Sequence, residues 1–153
     1  MRKILIGAVA FGLSVAASTW HLATAADWKD AKIVPADQRA WRKGANLTGA
    51  EIAGDRNKQG SLYVNHVIYA KGVQITPHTH PDERVVTVLA GVFYQGIGDV
   101  FDESKAHALP AGSVIVLPPG TPHYGFAKDG DVTLQEIGTG PTATIPWPAA
   151  KGK

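Results

Sequence analysis

Hydrophobic and polar residues alternate along most of this chain in runs too short for helices. From Ser61 to Ala70, Leu62, Val64, His66 and Ile68 alternate with Tyr63, Asn65, Val67 and Tyr69. A period of two predicts a strand. Both sides carry large residues, so both faces are expected to be covered, as in a two-sheet sandwich. Val73–His80, Arg84–Leu89, Val92–Ile97, Ala106–Leu109, Ser113–Leu117 and Val132–Ile137 repeat the signal, each bounded by glycine or proline turns. Ser113–Leu117 reads as a buried strand. Pro77, late in its run, predicts a sheet edge or barrel mouth there. Upstream, Pro35–Lys43 suggests one short helix, with Pro35 in its first turn and Gly44 as its stop. Residues 44–60 read as a loop with a weak strand near Glu51–Ala53. The Pro/Gly-rich stretch from Gly138 to Lys153 is expected to wrap a neighbour or fray. The pattern predicts an all-β sandwich or jelly roll, with residues 26–60 as an arm and edge, 61–140 as the domain and 141–153 as a tail.

The N-terminus changes the picture of where the protein acts. Arg2 and Lys3 precede an apolar run, Ile4–Ala17, and Ala23-Thr24-Ala25 is a small-x-small cleavage pattern. Residues 1–25 are therefore expected to be a signal peptide, with a periplasmic or secreted product and no membrane association after cleavage. An uncleaved anchor is the competing reading, although the apolar run is shorter than the roughly 20 residues a spanning helix needs. Cleavage would leave thirteen basic against thirteen acidic residues. No basic patch is interleaved with aromatics, so nucleic acid is not an expected partner. With no cysteine, thiolate chemistry is excluded and stability must come from packing.

The candidate chemistry is imidazole. His78 and His80 are spaced i, i+2, which on a strand points both to one side. His123 follows the rigid turn Pro118-Pro-Gly-Thr-Pro122. Three histidines drawn from separate segments suit a divalent metal such as Zn, Fe or Ni. Coordination needs neutral imidazole, so affinity is expected to fall below about pH 6.5. By the period of two, Gln74 and Thr76 share the face of His78. His66 and His107 are read as packing or surface residues.

These residues resemble the cupin superfamily. Gly72, five residues, His78-Thr-His80, then Gly91 follow the spacing of its first motif; Gly112, Pro118, Gly120 and His123 follow its second. The resemblance implies a cupin double-stranded β-helix, that is, a jelly-roll barrel. It also implies a homodimer and a divalent metal (Fe, Mn, Ni or Zn). Two positions depart from the pattern. Ala127 stands at an asparagine position, and Arg84 stands where most metal-binding relatives carry a glutamate ligand. A guanidinium has no lone pair to donate. Three accounts follow. Glu83 reaches the metal through a bulge, although alternation places it on the face opposite Arg84. Alternatively, His78, His80 and His123 hold the metal with water. In the third account there is no metal, and Arg84 binds an anion. Arg84, Gln74, Tyr94 and Gln135 are the candidate substrate-binding residues. The functions implied are a metal-dependent dioxygenase acting on a small molecule, isomerase or lyase chemistry, or a non-catalytic sensor of a small anion or carbohydrate.

Overall fold

The computed structural model describes residues 28–148. The expected signal segment therefore lies outside the described residues. The chain divides into two compact units, residues 1–33 and 34–153. Of the first, the described part holds a 3-10 turn over Trp28–Asp30.

The second unit is built of short antiparallel strands. In chain order they are β1 (Arg42–Lys43), β2 (Thr48–Ala53), β3 (Leu62–Tyr69), β4 (Gln74–Thr79), β5 (Arg84–Ala90), β6 (Val92–Ile97), β7 (His107–Pro110), β8 (Val114–Leu117), β9 (His123–Phe126), β10 (Val132–Thr139) and β11 (Ile145–Pro146). They form two sheets. One runs β1-β2-β3-β10-β5-β8 and the other β11-β4-β9-β6-β7. Their inner faces meet in one core of Val67, Tyr69, Val86, Val88, Phe93, Val132 and Leu134, with Tyr69 stacked on Phe93 at 6.2 Å. Among the described residues no helix is long and apolar enough to cross a membrane.

Register gives the inner face of the larger sheet a gradient. Val67, Leu134 and Val88 lie side by side across β3, β10 and β5. The row above pairs Asn65 with Glu136 and Val86. Above that lie Tyr63, Gly138 and Arg84. The barrel is thus apolar at one end and polar at the other. Gly138 is required by a close approach: a Cβ there would collide with the Tyr63 hydroxyl and the Asp82 carboxylate. Gly91 ends the β5–β6 hairpin at φ 79°, and a Cβ would strike the backbone of Asp131.

Four sequence expectations are corrected. Pro35–Lys43 is not one helix: only Ala36–Gln38 makes a 3-10 turn, and Arg42–Lys43 pairs with β2 as an edge strand. The strand near residue 51 begins earlier, at Thr48, because its pairing with β3 extends to Ile68. β8 is not buried. It lies at the sheet edge, and Val114 and Val116 are each 59% exposed. The tail, as far as residue 148, neither frays nor reaches away. Gly140 N–H donates to Ser61 O, Thr142 N–H to Arg56 O and Trp147 N–H to Pro77 O, while β11 pairs with β4.

Candidate metal centre

His78, His80 and His123 converge at the polar end of the barrel. β4 delivers His78, His80 follows directly after its last residue, and β9 delivers His123, with His78 directly opposite His123. A bulge makes this possible. Ile75 pairs with Gly125 and His78 with His123, so the register shifts between them. Ile75 points into the core. Strict alternation from Ile75 would turn His78 and His80 outward. The extra residue at Thr76-Pro77 reverses the phase and turns both inward. The same bulge overturns the expectation for Gln74. It does not share the face of His78; its amide donates to Glu103, although the residue also contributes to the lining of the pocket beside the histidines.

The ring centroids of His78, His80 and His123 lie 4.3–5.1 Å apart. One ring nitrogen from each lies within 4.8 Å of the others. Each Nδ1–H donates to a backbone carbonyl: His78 to Thr76 (2.8 Å), His80 to Ala143 (2.7 Å) and His123 to Thr121 (2.9 Å). A carbonyl can only accept, so each tautomer is fixed and the Nε2 lone pair is left for a ligand. All three rings are buried. Burial pushes His80 down to about 3, helped by the Arg84 charge, and His123 down to about 4. It also lowers His78. His80 and His123 are therefore neutral well below pH 6.5, which moves the expected acid limit of coordination downward. Three neutral, oriented nitrogen donors fit a divalent ion, so these residues could hold one.

One feature opposes that fit. The Arg84 guanidinium is buried among them, and its Nη1 donates to His80 Nε2 at 3.0 Å. It is held there from behind. Nη2 donates to Thr142 Oγ1 at 2.8 Å, Thr142 donates a short hydrogen bond to Asp82, and Tyr63 donates to the other Asp82 oxygen at 2.5 Å. Burial works to raise the Asp82 carboxyl. The hydrogen bonds from Thr142 and Tyr63 and the charge of Arg84 outweigh it and hold the group below its usual range. Glu136 Oε2 stands 3.6 Å from Arg84 Nη1.

Among the expected site residues, Arg84 does line the pocket. Glu83 does not reach the histidines. It is exposed on the outer side with Val85 and Ile137, because no bulge interrupts the alternation between it and Arg84. Tyr94 is turned outward, stacked on Phe126 at 4.8 Å and donating to Asp129. Gln135 faces away from Glu136 and accepts from His66. Its neighbour Glu136 is the one of the two that lines the pocket. The alternation of β10 could have placed either residue inside; only the pairing with Asn65 and Val86 decides. Asp82 and Thr142, which pin Arg84, carried no sequence signal, one being in a turn and the other in the tail.

Residues 65–137 match the family described as "Cupin domain". This segment is a cupin domain. Germin-like protein 1-1 of Oryza sativa subsp. japonica is 31% identical over 105 residues, covering 67% of this chain. The chain spans less than half, 44%, of that relative's length. The polyketide cyclase RemF of Streptomyces resistomycificus superposes with a TM-score of 0.64 at 14% identity, covering 79% of this chain and 88% of that one. KdgF from Halomonas sp. gives 0.59 at 19% identity, covering 71% and 93%. These two structural likenesses show the shared jelly-roll fold and no more.

Proposed function

We propose that the cupin domain is the catalytic unit of an exported, metal-dependent enzyme acting on a small molecule. The observation that carries this reading is the locked tautomer of three converging imidazoles. With the three Nδ1–H groups spent on backbone carbonyls, Nε2 of each ring is the atom a metal would use; that of His80 now accepts from Arg84, which an ion would have to displace. A bound divalent ion would supply Lewis-acid polarisation, or dioxygen chemistry if it is iron. Dioxygenation is the reaction to test first, because three nitrogen ligands leave room for both co-substrates. The chain's own groups would do the rest. His78, His80 and His123 hold the ion, Arg84 and Glu136 place charge of either sign beside it, and the groove admits the substrate. Export rests on the N-terminal pattern alone.

The experiment is elemental analysis of protein purified without chelators. About one divalent ion per chain is expected in the wild type and none in His78→Ala or His123→Ala. Wild-type protein that holds no ion after incubation with Fe(II), Mn(II), Ni(II) or Zn(II) overturns the reading.

A second reading is favoured by the Arg84 contact to His80. Here the guanidinium takes the place of the ion, and the domain is a metal-free binding module. Metal uptake by Arg84→Gln alone, with none in the wild type, would establish it.

A further inference from the structure

Above the histidines the barrel opens into a groove of about 560 Å³. Arg42, Lys43, Arg56 and Arg84 line it against Glu51 and Glu136. Among the described residues Arg42, Lys43 and Arg56 enter none of the ion pairs; those involve Arg84, Lys105 and Lys128. Arg42 and Lys43 sit on the edge strand β1. Arg56 is half-buried, and its carbonyl is tied to Thr142 N–H at 2.9 Å. The mouth is thus cationic and anchored by backbone bonds.

The floor makes a different demand. Asn65, 5% exposed, has a buried Oδ1 with no hydrogen-bond partner, and so has Arg84 Nε. Both residues line the groove. A buried polar atom left unpaired costs about 1–3 kcal/mol, so such atoms mark where a ligand completes the structure. Asn65 Oδ1 needs a donor. Arg84 Nε needs an acceptor. Hydroxyl groups serve both.

We propose that this groove binds a small polyhydroxylated anion. Its carboxylate or phosphate lies between Arg56 and the Arg42–Lys43 pair, and its hydroxyls reach Asn65, Glu136 and Arg84. This names the substrate class for the enzyme proposed above and rests on that reading for its catalytic meaning, but the binding itself needs no metal. The volume suits a single small ligand, and guanidinium groups favour planar oxyanions.

The test uses metal-stripped full-length protein and two matched pairs of probes, gluconate against glucitol and glycerol 3-phosphate against glycerol. Binding is read by calorimetry and by thermal shift at low salt. At least one anion should bind at least tenfold more tightly than its uncharged match, and the pair that responds tells carboxylate from phosphate. Arg42→Gln/Arg56→Gln should lose that preference while remaining folded by circular dichroism. Asn65→Ala should weaken the polyhydroxylated anion yet leave acetate or inorganic phosphate binding unchanged. Binding is read on metal-stripped protein, so a failed metal assay leaves this result standing. Equal binding of charged and uncharged members, or no response from either anion in folded wild type, overturns the proposal.

Discussion

At the scale of single residues, Arg84 decides how strongly the histidine cluster attracts a cation. Its guanidinium hydrogen-bonds the lone pair that a metal would need. Repulsion between a unit charge and a divalent ion a few ångströms away is on the order of several kcal/mol even at an effective dielectric of 20. Glu136, 3.6 Å away, offsets part of it. Arg84→Gln is therefore expected to raise divalent-metal affinity at least tenfold, read by competition with a chromogenic chelator; unchanged affinity would show that Arg84 already swings clear. Asp82 acts one step back. Asp82→Asn keeps the shape but loses the charge that accepts from Tyr63 and Thr142. A loss of about 1–3 kcal/mol in urea denaturation is expected. The histidines also set an acid limit. Their folded-state values lie below 6.5 through burial, so as pH falls the unfolded chain takes up protons first. Their contribution to stability is complete above about pH 6.5 and is lost progressively toward pH 3–4. Denaturation midpoints at pH 7.5 and 4.5 should show this fall, and His123→Gln should flatten it.

At the scale of elements, the C-terminal segment matters most, although its composition suggested a frayed tail. Thr142 holds Arg84, Ala143 O holds His80 Nδ1–H, and β11 pairs with the histidine-bearing end of β4. Truncation after Gly140 is expected to leave the β-sheet spectrum largely intact and to weaken metal binding sharply, because His80 loses the bond that fixes its tautomer. A truncated protein that binds metal as tightly as the full chain would remove this segment from the site. The strands themselves were readable from alternation, including β3, β5 and β6 with their hairpin at Gly91. The bulge in β4 was not. Pro77 advertised an irregularity, but its phase is set by pairing with β9, a partner over forty residues away.

At the scale of the whole molecule, the outer face of the larger sheet carries an apolar row. Register aligns Val64, Ile137, Val85 and Val116 in one row across four strands, and no formally charged residue stands in that row. The resemblance to small cupins led to the expectation of a homodimer, and this row is where a second copy would sit. Val85→Lys is expected to shift sedimentation toward the monomer without loss of secondary structure. Wild-type protein that sediments as a monomer at micromolar concentration would end this expectation.

Alternation and glycine spacing determined the β architecture and nominated His78, His80 and His123, because strand periodicity and turn chemistry are local properties of the chain; the resemblance to the cupin motif nominated Arg84. Which face each residue occupies was decided by long-range pairing. One bulge reversed the phase of β4 and brought two histidines inside. An uninterrupted β5 sent Glu83 outward. The register of β10 chose Glu136 over Gln135. The anchors of Arg84 come from a turn and a tail about sixty residues apart, and only the closed barrel brings them together.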